Sequence, residues 1–212
     1  MFAINHAATA LIIKKGFKDV PILWILISVQ FMELLWVLLN YMGIERTTTE
    51  KEVKYVGNIH LSYMPFSHSI LTMAGMSILA WFVISKGFGK PEIGLAVGIG
   101  ILSHLVLDLI THSRDMVIAP FVKEPKFGLG LYANFPVTAF LLEIGYGTAC
   151  WWIYGGSMAL LAVILLLNLA NLPMFVASIP VAKQKMTNRP LLITSVIFVQ
   201  IVVTLTLVGL LS

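Results

Sequence analysis

The sequence predicts an all-α, polytopic transmembrane helix bundle of about six spanning helices with an N-terminal half-helix, residues 1–212 forming a single integral-membrane domain. Three observations lead there. Hydrophobic residues make up 58% of the 212 and charged residues only 11%, against roughly 25% charged in soluble domains. Six apolar runs each approach the about 20 residues that a helix needs to cross a hydrocarbon core. The loops between them are short and polar, which leaves no room for an aqueous domain. A soluble globular protein is excluded.

The first stretch, MFAINHAATALIIKK, has no basic region ahead of its apolar run and no convincing cleavage site, so no secretory signal peptide is predicted. At about 1.5 Å per residue Phe2–Ile13 is too short to cross, and it reads as a re-entrant or interfacial half-helix. The predicted spans are Val20–Met42, Met64–Lys86, Pro91–Thr111, Leu131–Tyr154, Ser157–Pro180 and Pro190–Leu211, each bounded by Gly, Pro or charge. With six spans, the loops beginning near Gly43, His112 and Val181 share one face and carry Arg46, Lys51, Lys54, Arg114, Lys123, Lys126, Lys183, Lys185 and Arg189. The other face carries Lys14, Lys15, Lys18, Lys86 and Lys90. The positive-inside rule makes the first face cytoplasmic. A net charge of +4 held in loops fits a protein whose partner is the lipid bilayer and gives no sign of nucleic-acid binding.

Cys150, the single cysteine, lies in an apolar run, so one chain offers neither a disulfide framework nor a cysteine-based zinc site. Any metal must use histidine and carboxylate. The ionisable residues deep in the apolar runs are Glu33, His68, His104, Asp108 and Glu143. Such groups are costly in lipid and face a cavity, a partner or an ion. Helix parity alone places all five toward one face: Glu33 about 13 Å and Glu143 about 18 Å from it, His68 near the start of its helix, His104 and Asp108 in the last turns of theirs.

The sharpest local pattern is His104-x3-Asp108-x3-His112. Residues four apart share a helix face, so His104 with Asp108, or Asp108 with His112, can clamp one ion. The trio spans about 12 Å of rise, so using all three requires a second ion or a break near Thr111. His68, after Pro65, can add a ligand from the first turn of the neighbouring helix, giving a bundle-core site. A membrane histidine can equally be a hydrogen-bonding group, and an i, i+4 His–Asp pair a local ion pair. His60 sits in a polar loop and reads as interfacial. Asn168 and Asn171 read as interhelical hydrogen-bonding groups, and Gly94, Gly98, Gly100, Gly145 and Gly147 as sites of close helix packing.

At these residues the chain resembles the YdjM-like membrane-bound metal-dependent hydrolases, a bacterial inner-membrane family. His6 in NHAATA matches the family's N-terminal histidine, Phe66-Ser67-His68-Ser69 resembles the end of its His-Arg-Gly-x-Thr-His-Ser element, and Ser103-His104-x3-Asp108-x2-Thr111 matches Ser-His-x3-Asp-x2-Thr. The match lies mainly within residues 1–115. The family's Pro-Asp-x-Asp element is absent, with Glu33 the only acid nearby, and Tyr63 stands where another histidine is expected. The stretches MPFSHS, SHLVLDLITHSRD and GLGLY resemble a subgroup of bacterial membrane proteins.

The leading expectation is a hydrolase whose divalent ion, zinc or another, acidifies a water molecule and acts on a lipid-linked or otherwise membrane-resident substrate. His68, His104 and Asp108 are the candidate ligands, with His6 and His112 as further ones. His112 can alternatively shuttle protons, and Glu33 or Glu143 can act as the base. The rival is a transporter in which the same groups relay protons or pass a metal ion. A third possibility is a structural or partner-binding membrane protein.

Overall fold

The computed structural model describes residues 1–179 and 185–212; the predicted span end at Pro180, and the loop positions Val181 and Lys183, lie outside the described residues. The architecture is a helix bundle. Helices α1 (Ala3–Gly16), α2 (Ile22–Tyr41), α3 (Ile70–Phe82), α4 (Pro91–Thr111), α5 (Leu131–Asn134), α6 (Pro136–Tyr154), α7 (Met158–Ala170) and α8 (Pro190–Leu211) follow in chain order. Two small antiparallel hairpins interrupt the loops, β1 (Arg46–Thr49) with β2 (Ile59–Tyr63) and β3 (Met116–Val117) with β4 (Lys126–Phe127). Neither hairpin is visible in the hydropathy pattern.

Among the described residues, four helical segments have the length and apolarity to cross a membrane, rather than the expected six: Ile22–Tyr41, Ile70–Gly87, Pro91–Thr111 and Pro190–Leu211. Proline accounts for much of the difference. The expected span from Leu131 is divided because the residue before a proline is driven out of helical conformation, and Phe135, before Pro136, has φ −140° and ψ 60°. What remains, α6, is diluted by Glu143, Tyr146 and two tryptophans. The expected span Ser157–Pro180 stops at Ala170, and Pro173, lacking an N–H, carries the chain into a 3-10 turn over Leu172–Met174. The span expected from Met64 begins only at Ile70, where Ser69 Oγ accepts the Thr72 N–H and caps α3. His68 therefore sits in the turn ahead of the helix rather than within its first turn.

Helix α1 is neither interfacial nor amphipathic. Ala3 through Leu11 and Ile13 are all buried, and it packs against α2, α4, α6, α7 and α8. Lipid offers no hydrophobic drive between helices, so small residues and polar links must join them. A Cβ at Gly100 would lie 2.9 Å from the Ser28 Cβ, one at Gly98 would lie 3.1 Å from the Ser77 carbonyl oxygen, and Ser77 Oγ donates to the Gly98 carbonyl at 2.7 Å. Gly147 makes room for Asn5. Gly145 is the exception, with nothing within 4 Å. Asn168 accepts from Asn5 at 2.9 Å and Asn171 from Gln200 at 2.8 Å, so both asparagines link helices.

The polar loops do share one face. Thr49 Oγ1 accepts the Asn188 N–H at 3.0 Å, Thr187 Oγ1 accepts the Val53 N–H at 3.3 Å, and the 3-10 turn Val56–Asn58 packs on α5. At the other end Lys15 Nζ donates to the Ile153 carbonyl.

Candidate metal centre

Four side chains from two helices and one turn meet at the polar-loop end of the bundle. Glu33 on α2, His68 ahead of α3, and His104 and Asp108 on α4 each offer an atom, and these atoms lie within 4.8 Å of one another. His68 Nε2 stands 3.3 Å from Glu33 Oε2 and 3.4 Å from Asp108 Oδ2. His104 Nε2 stands 3.6 Å and 3.0 Å from the same two oxygens. His68, His104 and Asp108 are fully buried, whereas the Glu33 side chain is 17% exposed and lines the adjoining cavity.

The far sides of both imidazoles are committed. His104 Nδ1 faces the Val29 carbonyl oxygen at 2.9 Å, which can only accept, so Nδ1 carries the proton. For His68 the constraint is relayed. Glu45, 1% exposed, accepts the backbone N–H groups of Phe66 and Ser67 on Oε1, both at 2.9 Å, and the Ser67 hydroxyl on Oε2 at 2.5 Å. With its one proton given to Glu45, Ser67 Oγ can only accept from His68 Nδ1, 2.7 Å away. Both neutral rings thus aim an Nε2 lone pair at carboxylate oxygens.

Lone pairs facing lone pairs repel unless a cation lies between them. His68 Nε2, His104 Nε2 and Asp108 Oδ2 are buried and have no hydrogen-bond partner. Their spacing suits a metal: a tetrahedral ion with bonds of about 2.1 Å separates its donors by roughly 3.4 Å. Without an ion, protons must serve. Burial disfavours a charged His68, but hydrogen bonds and charge from Asp108 and Glu33 outweigh it and raise its pKa to about 10.

The remaining candidates stand around this group. His6 Nε2 lies 3.3 Å from Asp108 Oδ1 with its ring stacked on His104, centroids 4.0 Å apart, and the Met1 ammonium donates to the same oxygen at 2.6 Å. α4 ends at Thr111, and His112 is extended (φ −67°, ψ 148°), which brings its Nε2 to 3.7 Å from Asp108 Oδ2. Of the two arrangements open to His112, a second ion or a helix break, the backbone takes the break. Gly128 and Gly130, at φ 137° and 71°, let the GLGLY stretch close on that end: Leu129 N–H bonds the Leu109 carbonyl at 2.8 Å and Gly130 N–H the His112 carbonyl at 2.6 Å. Glu143 sits about 10 Å into α6, nearer the loop face than predicted because that helix starts at Pro136. Its carboxylate accepts from Tyr132 and Asn5 and is not one of the four clustered groups. His60, expected in a loop, lies in β2 opposite Thr48, its Nε2 3.4 Å from Glu50 Oε1.

A family model described as YdjM inner membrane protein matches residues 19–186. The chain belongs to the YdjM inner membrane protein family. The matched span contains Glu33, Glu45, His68, His104, Asp108, His112 and Glu143, reaches well beyond the residues that carried the local resemblance, and leaves His6 outside. Family and apolar helices together describe a multi-pass inner-membrane protein. No curated protein and no solved structure gives a significant match.

Sequence reasoning missed Glu45, Ser67, Asn5 and Tyr132. Glu45 lies in GIERTTTEK, among exposed loop charges, and nothing in its spacing marks it. Tyr132 had a signal, since it ends the GLGLY stretch.

Proposed function

We propose that this YdjM-family protein is a membrane-embedded metal-dependent hydrolase acting on a membrane-resident substrate. The observation that carries the proposal is the pair of histidines whose outer nitrogens are fixed as donors, so that two Nε2 lone pairs converge on two carboxylate oxygens at 3.0–3.6 Å. His68, His104 and Asp108, with Glu33 beside them, would hold a divalent cation, zinc being one that takes nitrogen and oxygen donors, and such an ion would supply Lewis acidity and acidify water near neutral pH. The protein's own groups do the rest. Asp108 and Glu33 balance the charge, and the burial of His68, His104 and Asp108 keeps bulk water from competing. Glu33, the one member of the group on the cavity wall, takes and returns a proton there. His112, also on that wall, shuttles it to the loop side. Glu143, with Tyr132 and Asn5 on its oxygens, holds α1 and α5 in place.

Elemental analysis of the purified protein tests the site. About one divalent ion per chain is expected, lost in His104→Ala and in Asp108→Ala. Full metal content in a folded His104→Ala/Asp108→Ala protein would leave a hydrogen-bonded cluster in its place. Glu33→Gln should lose turnover and Glu143→Gln should keep it.

One observation favours a conduit as the second reading. A polar seam continues along α1 and α6 from His6 through Asn5 and Glu143 to the Thr9–Tyr146 hydroxyl pair at 2.8 Å. Proton or metal flux in proteoliposomes, blocked by Tyr146→Phe and accompanied by no hydrolysis, would decide for it.

A further inference from the structure

Beside the four-residue group lies a cavity of about 270 Å³ whose walls differ in chemistry. One wall carries Glu33, Thr111, His112 and Asp115. Another is a largely apolar face of α8, where Ile193, Val196, Ile197 and Gln200 recur at the spacing of one helix face, met by Ala170 at the end of α7 and by Asn171, Pro173 and Met174 after it, with Gln200 donating to Asn171. That face runs about 10 Å along α8. An apolar slot leading from a buried polar group, in a protein surrounded by acyl chains, has the form of a chain-binding site with the reacting bond at its polar end.

Charge narrows the head group. The described lining holds two carboxylates and an imidazole and contains no lysine or arginine, while the Met1 ammonium there is held by Asp108. Asp108 and Glu33 already balance the charge of the divalent ion on which the hydrolase assignment rests, so a phosphate would meet Asp115 with no lysine or arginine of the described lining to receive it, whereas an uncharged carbonyl bears no such penalty. Volume narrows the tail, since about 270 Å³ falls just below the roughly 300–1,000 Å³ of ligand pockets and suits one chain rather than two.

We infer that the substrate is a neutral, single-chain lipid ester, its acyl chain along the Ile193–Gln200 face of α8 and its ester carbonyl at Glu33 and His112. This deepens, and rests on, the hydrolase assignment. Hydrolysis joins the water oxygen to the acyl carbon and breaks that carbon's bond to the alcohol oxygen. The alcohol leaves with the proton that Glu33 took from the water, and the acid product keeps the chain.

Binding can be read without turnover. The purified full-length protein is irradiated with a long-chain monoacylglycerol carrying a diazirine on its chain, with and without a chelator, and the adducts are mapped by mass spectrometry. Adducts are expected at residues 193–200 and 170–174 in both conditions. Val196→Trp, which fills the slot, should cut them at least tenfold, while Val199→Trp, on the outward face of α8, should leave them unchanged. Unlabelled monoacylglycerols should compete about fourfold better per added methylene until the slot is full. If Val196→Trp does not fold, Ile197→Ala, which deepens the slot, should move that plateau to longer chains. Adducts scattered over the outward face and insensitive to these changes would overturn the inference, as would equal labelling by the matching lysophosphatidate probe. Adducts in the slot of a protein that takes up no divalent metal even when it is supplied would instead sink the hydrolase assignment and leave a lipid site. A metal-loaded protein without slot adducts would do the reverse.

Discussion

Replacing Glu45 by glutamine should weaken metal binding without the residue touching the metal. The amide oxygen can keep the two backbone N–H groups of Phe66 and Ser67, each 2.9 Å from the present Oε1, which turns the new NH2 toward Ser67 Oγ. Ser67 then accepts where it had donated, and its proton is free to point at His68 Nδ1, 2.7 Å away. A neutral His68 must answer by carrying its proton on Nε2, the nitrogen that faces Glu33 and Asp108. Loss of a hydrogen-bonding partner behind a metal ligand costs about 10–100-fold in affinity. That corresponds to roughly 1.4–2.7 kcal/mol. Folding should suffer less, by about 1 kcal/mol, because charged hydrogen bonds become neutral ones of the same shape. Competition against a chromogenic chelator for Zn²⁺ or Co²⁺, with thermal unfolding in the same detergent, measures both. Ser67→Ala imposes no tautomer and should cost less affinity than Glu45→Gln. A folded Glu45→Gln protein that binds metal within twofold of the parent would refute the relay.

Gly100→Ala should destabilise the protein by about 1–3 kcal/mol, since its Cβ would meet the Ser28 Cβ at 2.9 Å and push α4 from α2 one turn before the His104–Val29 bond. Gly145→Ala, with open space around it, should be neutral or stabilising, and thermal unfolding separates the two. Metal uptake at pH 7 should release protons and weaken as pH falls, because His68, with a pKa raised to about 10, must give up its proton to bind; calorimetry in buffers of different ionisation enthalpy reads the count. With Cys150 replaced, a cysteine at Thr48 should react with impermeant thiol reagents from the cytoplasmic side and one at Gly89 from the other, and reversed labelling would invert the orientation.

The meeting of Glu33, His68, His104 and Asp108 was legible because it needed only helix parity and rise, and four shorter or longer helices leave parity intact. The i, i+4 pair His104–Asp108 was legible for the same reason. Span ends were not, because Phe135 and Ala170 are governed by prolines that follow them inside apolar stretches, where hydropathy shows no change. The Glu45 relay was illegible for a different cause. A buried carboxylate and a solvated one look alike in sequence, and only the turn that folds Phe66 and Ser67 onto it tells them apart.

The burial of α1 on every side bears on the order in which the molecule can be made. A helix of 14 residues reaches about 21 Å and cannot bridge a hydrocarbon core of about 30 Å. Lipid alone therefore gives it no stable berth. Its seat is built from α2, α4, α6, α7 and α8, and all five follow it in the chain. Synthesised ahead of all five, α1 must wait for α8 before it can settle, and His6 and Asn5 wait with it. The polar centre is thus completed only when the whole bundle has been delivered to the membrane, so that a chain stalled part-way carries the ligands on α2 and α4 without the helix that closes over them.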